Sequence, residues 1–74
     1  MPRKIRQLIA DLQRAGFVLA PRRGKGSHRV FKHPMSGMEV VLSGQTGDDA
    51  ERYQERDVRE ALVTIRQIDQ DRDV

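Results

Sequence analysis

Two histidines, His28 and His33, are the side chains of this sequence best suited to move a proton near neutral pH, because an unperturbed imidazole titrates at about 6.5. His28 closes the run Gly24-Lys25-Gly26-Ser27-His28, which follows Arg22 and Arg23. Two glycines among cations make a turn whose backbone N–H groups, with Lys25, Arg22 and Arg23, could hold a phosphate. Gly26 and Ser27 belong to that cradle, and Lys32 adds a cation further along the same strand face. Several other chemistries are excluded by spacing. The loop lacks the GxxxxGK[ST] pattern and a following helix, so it is not a nucleotide-binding P-loop. No paired carboxylates stand in the basic half to hold two metal ions. A Ser-His-Asp hydrolase needs a buried acid behind its histidine, and Asp11 on a helix face is a poor candidate. Metal-free cleavage of RNA fits what is left: the ribose 2′-hydroxyl is the nucleophile, and the protein supplies a proton acceptor or donor and positive charge. The plainer alternative is that His28 is an ordinary polar residue on an exposed strand. His33, beside Pro34 at a turn, reads as a surface residue and a reserve acid or base.

The elements that must position these groups follow from periodicity. Ile5, Leu8, Ile9, Leu12 and Ala15 recur at helical spacing, which predicts a helix over 3–15 opened by Pro2 and closed by Gly16. Phe17-Val18-Leu19-Ala20 is a short β-prone run halted by Pro21. Ser27 to His33 reads as a second strand, with His28, Val30 and Lys32 on one face and Arg29, Phe31 and His33 on the other. Pro34-Met35-Ser36-Gly37 is a hairpin turn, and Met38 to Leu42 a third strand. The polar stretch Asp48 to Arg56 reads as a loop or a ragged helix start. From Asp57 the helical period returns in Val58, Ala61, Leu62, Ile65 and Ile68, with Asp57-x-x-Glu60 as a capping box or an earlier start near Tyr53. Beyond Ile68 the pattern is lost, and 69–74 reads as a frayed tail.

These elements give an α+β two-layer sandwich in the order α-β-β-β-α, with one domain over 1–74 and a core of about 3–68. Phe17, Leu19, Phe31 and Val41 are the expected buried side of the sheet, leaving the face with His28 and Lys32 to solvent or ligand.

At 74 residues the chain is short, and about 60% of the unfolded surface of such a chain is buried on folding. It has no cysteine, and its two histidines stand far from any carboxylate cluster, so neither a disulfide nor a structural zinc is expected. The start, Met1-Pro2-Arg3-Lys4-Ile5, has no apolar run suited to a signal peptide or a membrane span, which points to a cytoplasmic protein without membrane partners. Net charge is +3, but residues 2–33 carry nine Lys or Arg against one acid, while 34–74 carry five against ten. The first half is therefore an electrostatic footprint for a polyanion. With Phe17 and Phe31 assigned to the core, Tyr53 is left alone, too little for reading bases by stacking. Backbone contacts with weak sequence preference follow.

Leu8-Ile9-x-x-Leu12, then Ala15-Gly16-Phe17-Val18-Leu19, then Lys25-Gly26-Ser27-His28-Arg29-Val30-Phe31-Lys32-His33-Pro34, resembles the HicA toxins over about residues 3–68. The resemblance implies a double-stranded-RNA-binding-domain-like fold and an mRNA interferase, an RNA endonuclease that needs no metal or cofactor. It also implies a HicB-type antitoxin partner that covers the active site. The histidine on which family catalysis rests matches His28. One departure stands out. Family members often carry a basic, glycine-containing segment before the last helix, where this chain has the longer, acidic Gly44-Gln45-Thr46-Gly47-Asp48-Asp49-Ala50-Glu51, suited to a particular antitoxin. A non-catalytic RNA-binding module and a subunit that mainly docks an antitoxin are the rival readings.

Overall fold

A computed structural model describes residues 2–20 and 28–72, with 69–72 as helical backbone only. Helix α1 spans Ile5–Arg14, strands β1, β2 and β3 span Val18–Leu19, Arg29–Lys32 and Glu39–Leu42, and helix α2 spans Arg52–Arg72. The strands form one antiparallel sheet in the order β1-β2-β3. The expected α-β-β-β-α order and two-layer α+β architecture are thus observed, and the arrangement is consistent with the double-stranded-RNA-binding-domain-like fold of HicA.

Helix α1 buries Ile5, Leu8 and Leu12, a stripe at i, i+3 and i+7. Its start is closed from two directions. Lys4 N–H donates to Gln7 Oε1 at 2.7 Å, and the orphan donors of the first turn find carbonyls from the far half of the chain. Ile5 N–H meets Asp48 O at 3.0 Å, Arg6 N–H meets Thr46 O at 3.1 Å, and Ala50 N–H returns to Arg3 O at 2.6 Å. The acidic segment expected to be a loop therefore wraps the first turn of α1.

The end of α1 is a Schellman turn. Gly16 takes φ +99°, Gly16 N–H bonds Gln13 O at 3.1 Å, and Phe17 N–H bonds Leu12 O at 3.0 Å. That turn drops the Phe17 ring into the core. There it meets the edge of His33, with ring centroids 5.2 Å apart and planes at 68°. His33 is buried rather than on the surface: its Nδ1 accepts from Ser36 N–H at 3.2 Å and lies 3.1 Å from Ser36 Oγ. The reason is parity, since His33 lies on the same side of β2 as Phe31, which is buried.

Pairing sets the faces of the sheet. Phe31 sits opposite Val40, and Val30 opposite Val41. Val40 and Leu42 are buried against the helices, whereas Val41 is 53% exposed, so the assignment of Val41 to the core is corrected by one residue. Both parities of Glu39–Leu42 contain a valine, and the Phe31 partner decides which is inside. Leu19 is also outside the core, at 52% exposure, because the two-residue β1 is an edge strand that the helices do not cover.

Helix α2 begins at Arg52, near the earlier of the two expected starts, so Asp57-x-x-Glu60 lies inside the helix and caps nothing. The cap is built by Gln54 instead. Its Oε1 accepts from Glu51 N–H at 2.8 Å, and its Nε2 donates to Ser43 O at 2.9 Å, which ties the helix to the end of β3. Gln54 is buried. The helical backbone continues to Arg72.

Among the described glycines, Gly16 is the most tightly enclosed: a Cβ there would stand 3.2 Å from His33 Nε2 as well as in a left-handed backbone. Gly16→Ala is expected to lower stability by about 1–2 kcal/mol, read as a reduced urea midpoint at unchanged slope.

Candidate nucleic-acid interface

The outer face of the sheet carries the expected proton-transfer group. Because Phe31 points into the core, His28, Val30 and Lys32 point away from the helices. His28 and Lys32 are exposed. They lie four positions apart along the strand direction, a span of roughly 13 Å, enough to face neighbouring groups of one extended backbone. Exposed Val18 lies opposite Lys32, and exposed Val41 lies beside Val30, which is buried although it points away from the helices. Arg22, Arg23, Lys25, Gly26 and Ser27, the expected phosphate cradle, lie outside the described residues.

The basic half of the sequence does not act as one surface. Asp11 binds the guanidinium groups of both Arg3 and Arg14. The hydrogen bond from Arg3 does most to hold the Asp11 carboxyl below its usual range, opposed by partial burial and reinforced by Arg14. The same contact raises Arg3 above its ordinary value. Lys4 Nζ pairs with Asp49 Oδ1 at 2.5 Å, and Arg29, turned toward the helices, donates to Gly44 O at 2.9 Å. Among the described residues, Lys32 is the cation that shares the outer sheet face with His28.

His28 also lies at the edge of a groove of about 620 Å³ between β3 and α2. The opposite wall carries Tyr53, Asp57 and Glu60, and Tyr53 is half exposed. The sequence reading left Tyr53 without a role. Its spacing from Asp57, Glu60, Ala61 and Thr64, at i+4, i+7, i+8 and i+11, is the signal that puts all five on one helix face. Among the described residues no group of His, Cys, Asp or Glu could hold a metal ion, and no helix is long and apolar enough to cross a membrane.

A family model described as "HicA toxin of bacterial toxin-antitoxin" matches residues 5–69. Fold and match together define a toxin of a bacterial toxin–antitoxin pair, a protein whose partner is an antitoxin. The chain belongs to the HicA toxin family. A comparison with curated proteins finds no match.

The Arg3–Asp11–Arg14 cluster gives the fold an acid limit. Since the folded Asp11 carboxyl titrates below its unfolded value, its contribution is complete above about pH 4 and is lost as pH falls through the lowered folded value. Asp11→Asn is expected to cost about 1 kcal/mol at neutral pH and to flatten the acid limb of the urea midpoint measured between pH 6 and 2.

Proposed function

We propose that this toxin is a metal-independent RNA endonuclease of a type II toxin–antitoxin system, acting on mRNA in the cytoplasm as a single domain, with His28 as its general acid or base. The observation that carries this reading is the exposed imidazole of His28 on a sheet face shared with Lys32, in a chain of the HicA family. His33 does not compete for the role, because its Nδ1 is occupied by Ser36 and its ring is packed on Phe17.

The chemistry balances without a cofactor. As base, neutral His28 takes the proton of a ribose 2′-hydroxyl while the 2′-oxygen attacks the adjacent phosphorus. The bond from phosphorus to the 5′-oxygen breaks, and that oxygen receives a proton from water or from an imidazolium acting as acid. The products are a 2′,3′-cyclic phosphate and a free 5′-hydroxyl. Negative charge grows on the phosphoryl oxygens along the way, so cations and backbone N–H groups aimed at them stabilise the transition state. Lys32 supplies one such charge from the strand face. Arg22, Arg23, Lys25, Gly26 and Ser27 would supply the rest from the loop that precedes His28, with a HicB-type antitoxin covering the site.

Cleavage of a single-stranded RNA in chelator-containing buffer tests the reading. Wild type is expected to leave 2′,3′-cyclic ends, and His28→Ala to cut at least about 100-fold more slowly while still binding a 2′-O-methyl RNA that cannot be cut. Equal cleavage by both proteins refutes the catalytic role, and binding without any cleavage identifies a binding module instead. Lys32→Ala is expected to weaken binding of that RNA across sequences and to lower the slope of log K against log salt by about one, measured by fluorescence anisotropy.

A further inference from the structure

The groove between β3 and α2 has features that an RNA site lacks and a peptide site needs. Sheet order leaves β3 with only one side paired. His33 N–H bonds Met38 O at 2.8 Å, and Val30 O accepts from Ala20 N–H at 2.8 Å, which fixes the phase of both ladders. Odd-numbered residues of β2 therefore turn their amides to β3, and even-numbered residues of β3 answer them. In that phase Val41 turns its N–H and C=O away from β2, into the groove. Ser43, two residues on, shows how readily this edge takes a partner, since its carbonyl accepts from Gln54 Nε2. An unpaired strand edge of this kind is a template for one more strand.

The lining then selects the occupant. Asp57 and Glu60 of α2 line the groove, and no lysine or arginine does so among the described residues. Arg56, 3.8 Å from Asp57, is not part of the lining. A polyphosphate is repelled by such a wall, whereas lysine or arginine side chains are attracted to it. A strand added to β3 would alternate its side chains, one set toward the acids of α2 and the other beside exposed Val41 on the outer face.

We infer that this groove is the docking site of the antitoxin, which adds an extended segment of alternating basic and apolar residues to β3 as a fourth strand. The segment lies against Asp57 and Glu60, and its end at Ser43 reaches His28, which lines the same groove. One bound strand thus both holds the partner and shuts the imidazole away from RNA; that second effect rests on the catalytic role proposed for His28.

Amide hydrogen exchange of the ¹⁵N-labelled toxin tests the inference, alone, with a capped Lys-Val-Lys-Val-Lys-Val peptide, and in the co-purified complex with its antitoxin. Val41 N–H is expected to exchange at least ten-fold more slowly in both bound forms. Asp57→Lys combined with Glu60→Lys, two exposed positions on α2, is expected to weaken both partners at least ten-fold while leaving the melting temperature in place. A Glu-Val-Glu-Val-Glu-Val peptide should not bind, and the 2′-O-methyl RNA should bind without protecting Val41. Unchanged exchange at Val41 in the antitoxin complex, or protection of Val41 by the RNA, overturns the inference. Val41 protection is read whether or not RNA is cut, so loss of the catalytic reading and loss of this one are separate results.

Discussion

A β-strand has two faces and no third, so the ring that Phe31 commits to the core also commits His28 and Lys32 to the opposite side. Everything proposed for the outer face depends on that single burial. Phe31 is held from all directions: Val40 pairs across from it, Leu19 lies opposite on the other strand, and the helix stripes close over it. Slipping the register by one residue would bury a lysine and expose the ring, a cost of several kcal/mol that no surface interaction offsets. The His28 imidazole is therefore positioned by hydrophobic packing on the far side of its own strand. No hydrogen bond to the imidazole itself is required.

Much of this was legible from residue pattern. The stripe of α1 announces its helix, Gly16 its end, and the alternation around Phe31 the exposure of His28. Where two readings compete within one pattern, pattern alone fails. Glu39-Val40-Val41-Leu42 offers an apolar residue on either parity, and only the cross-strand partner separates Val40 from Val41. His33 stands beside Pro34, whose turn signal suggests the surface, although the alternation that buries Phe31 buries His33 as well. The start of α2 was hidden for another reason. Its cap is a glutamine reaching both back to Glu51 and across to Ser43, and the second contact is set by tertiary structure. The loop cradle before His28 is the portion of the candidate site that sequence describes and the structure does not.

Charge along the chain and charge in space are different quantities here. The lopsided sequence suggests one positive hemisphere facing one negative one. Folding instead mixes them: Asp11 takes two arginines, Asp49 takes Lys4, and the acidic segment 46–50 lies against the first turn of the basic helix. Part of the positive excess is thus neutralised by ion pairs within the helical layer. Among the described residues, two local features stand side by side. A cation and an imidazole stand on the outer sheet face, and an acidic wall stands around the corner on α2. Two surfaces of opposite character meet at His28, and the proposed competition of a nucleic acid and a protein partner for that residue rests on this meeting.

The wrap of residues 46–50 over the beginning of α1 also sets an order of events during synthesis. The first helix leaves the ribosome early, yet the carbonyls that satisfy Ile5 and Arg6 are made some forty residues later. Until Thr46 and Asp48 have emerged, the opening turn of that helix has only water for its donors, and helix α2, which packs against α1, is still to be made. Contacts so distant in the chain make folding a late step, completed when the polypeptide is nearly whole. A chain that stops short of Thr46 therefore lacks both the cap of its first helix and the second helix. The interval between the start of translation and the completion of the fold is built into the connectivity of the chain.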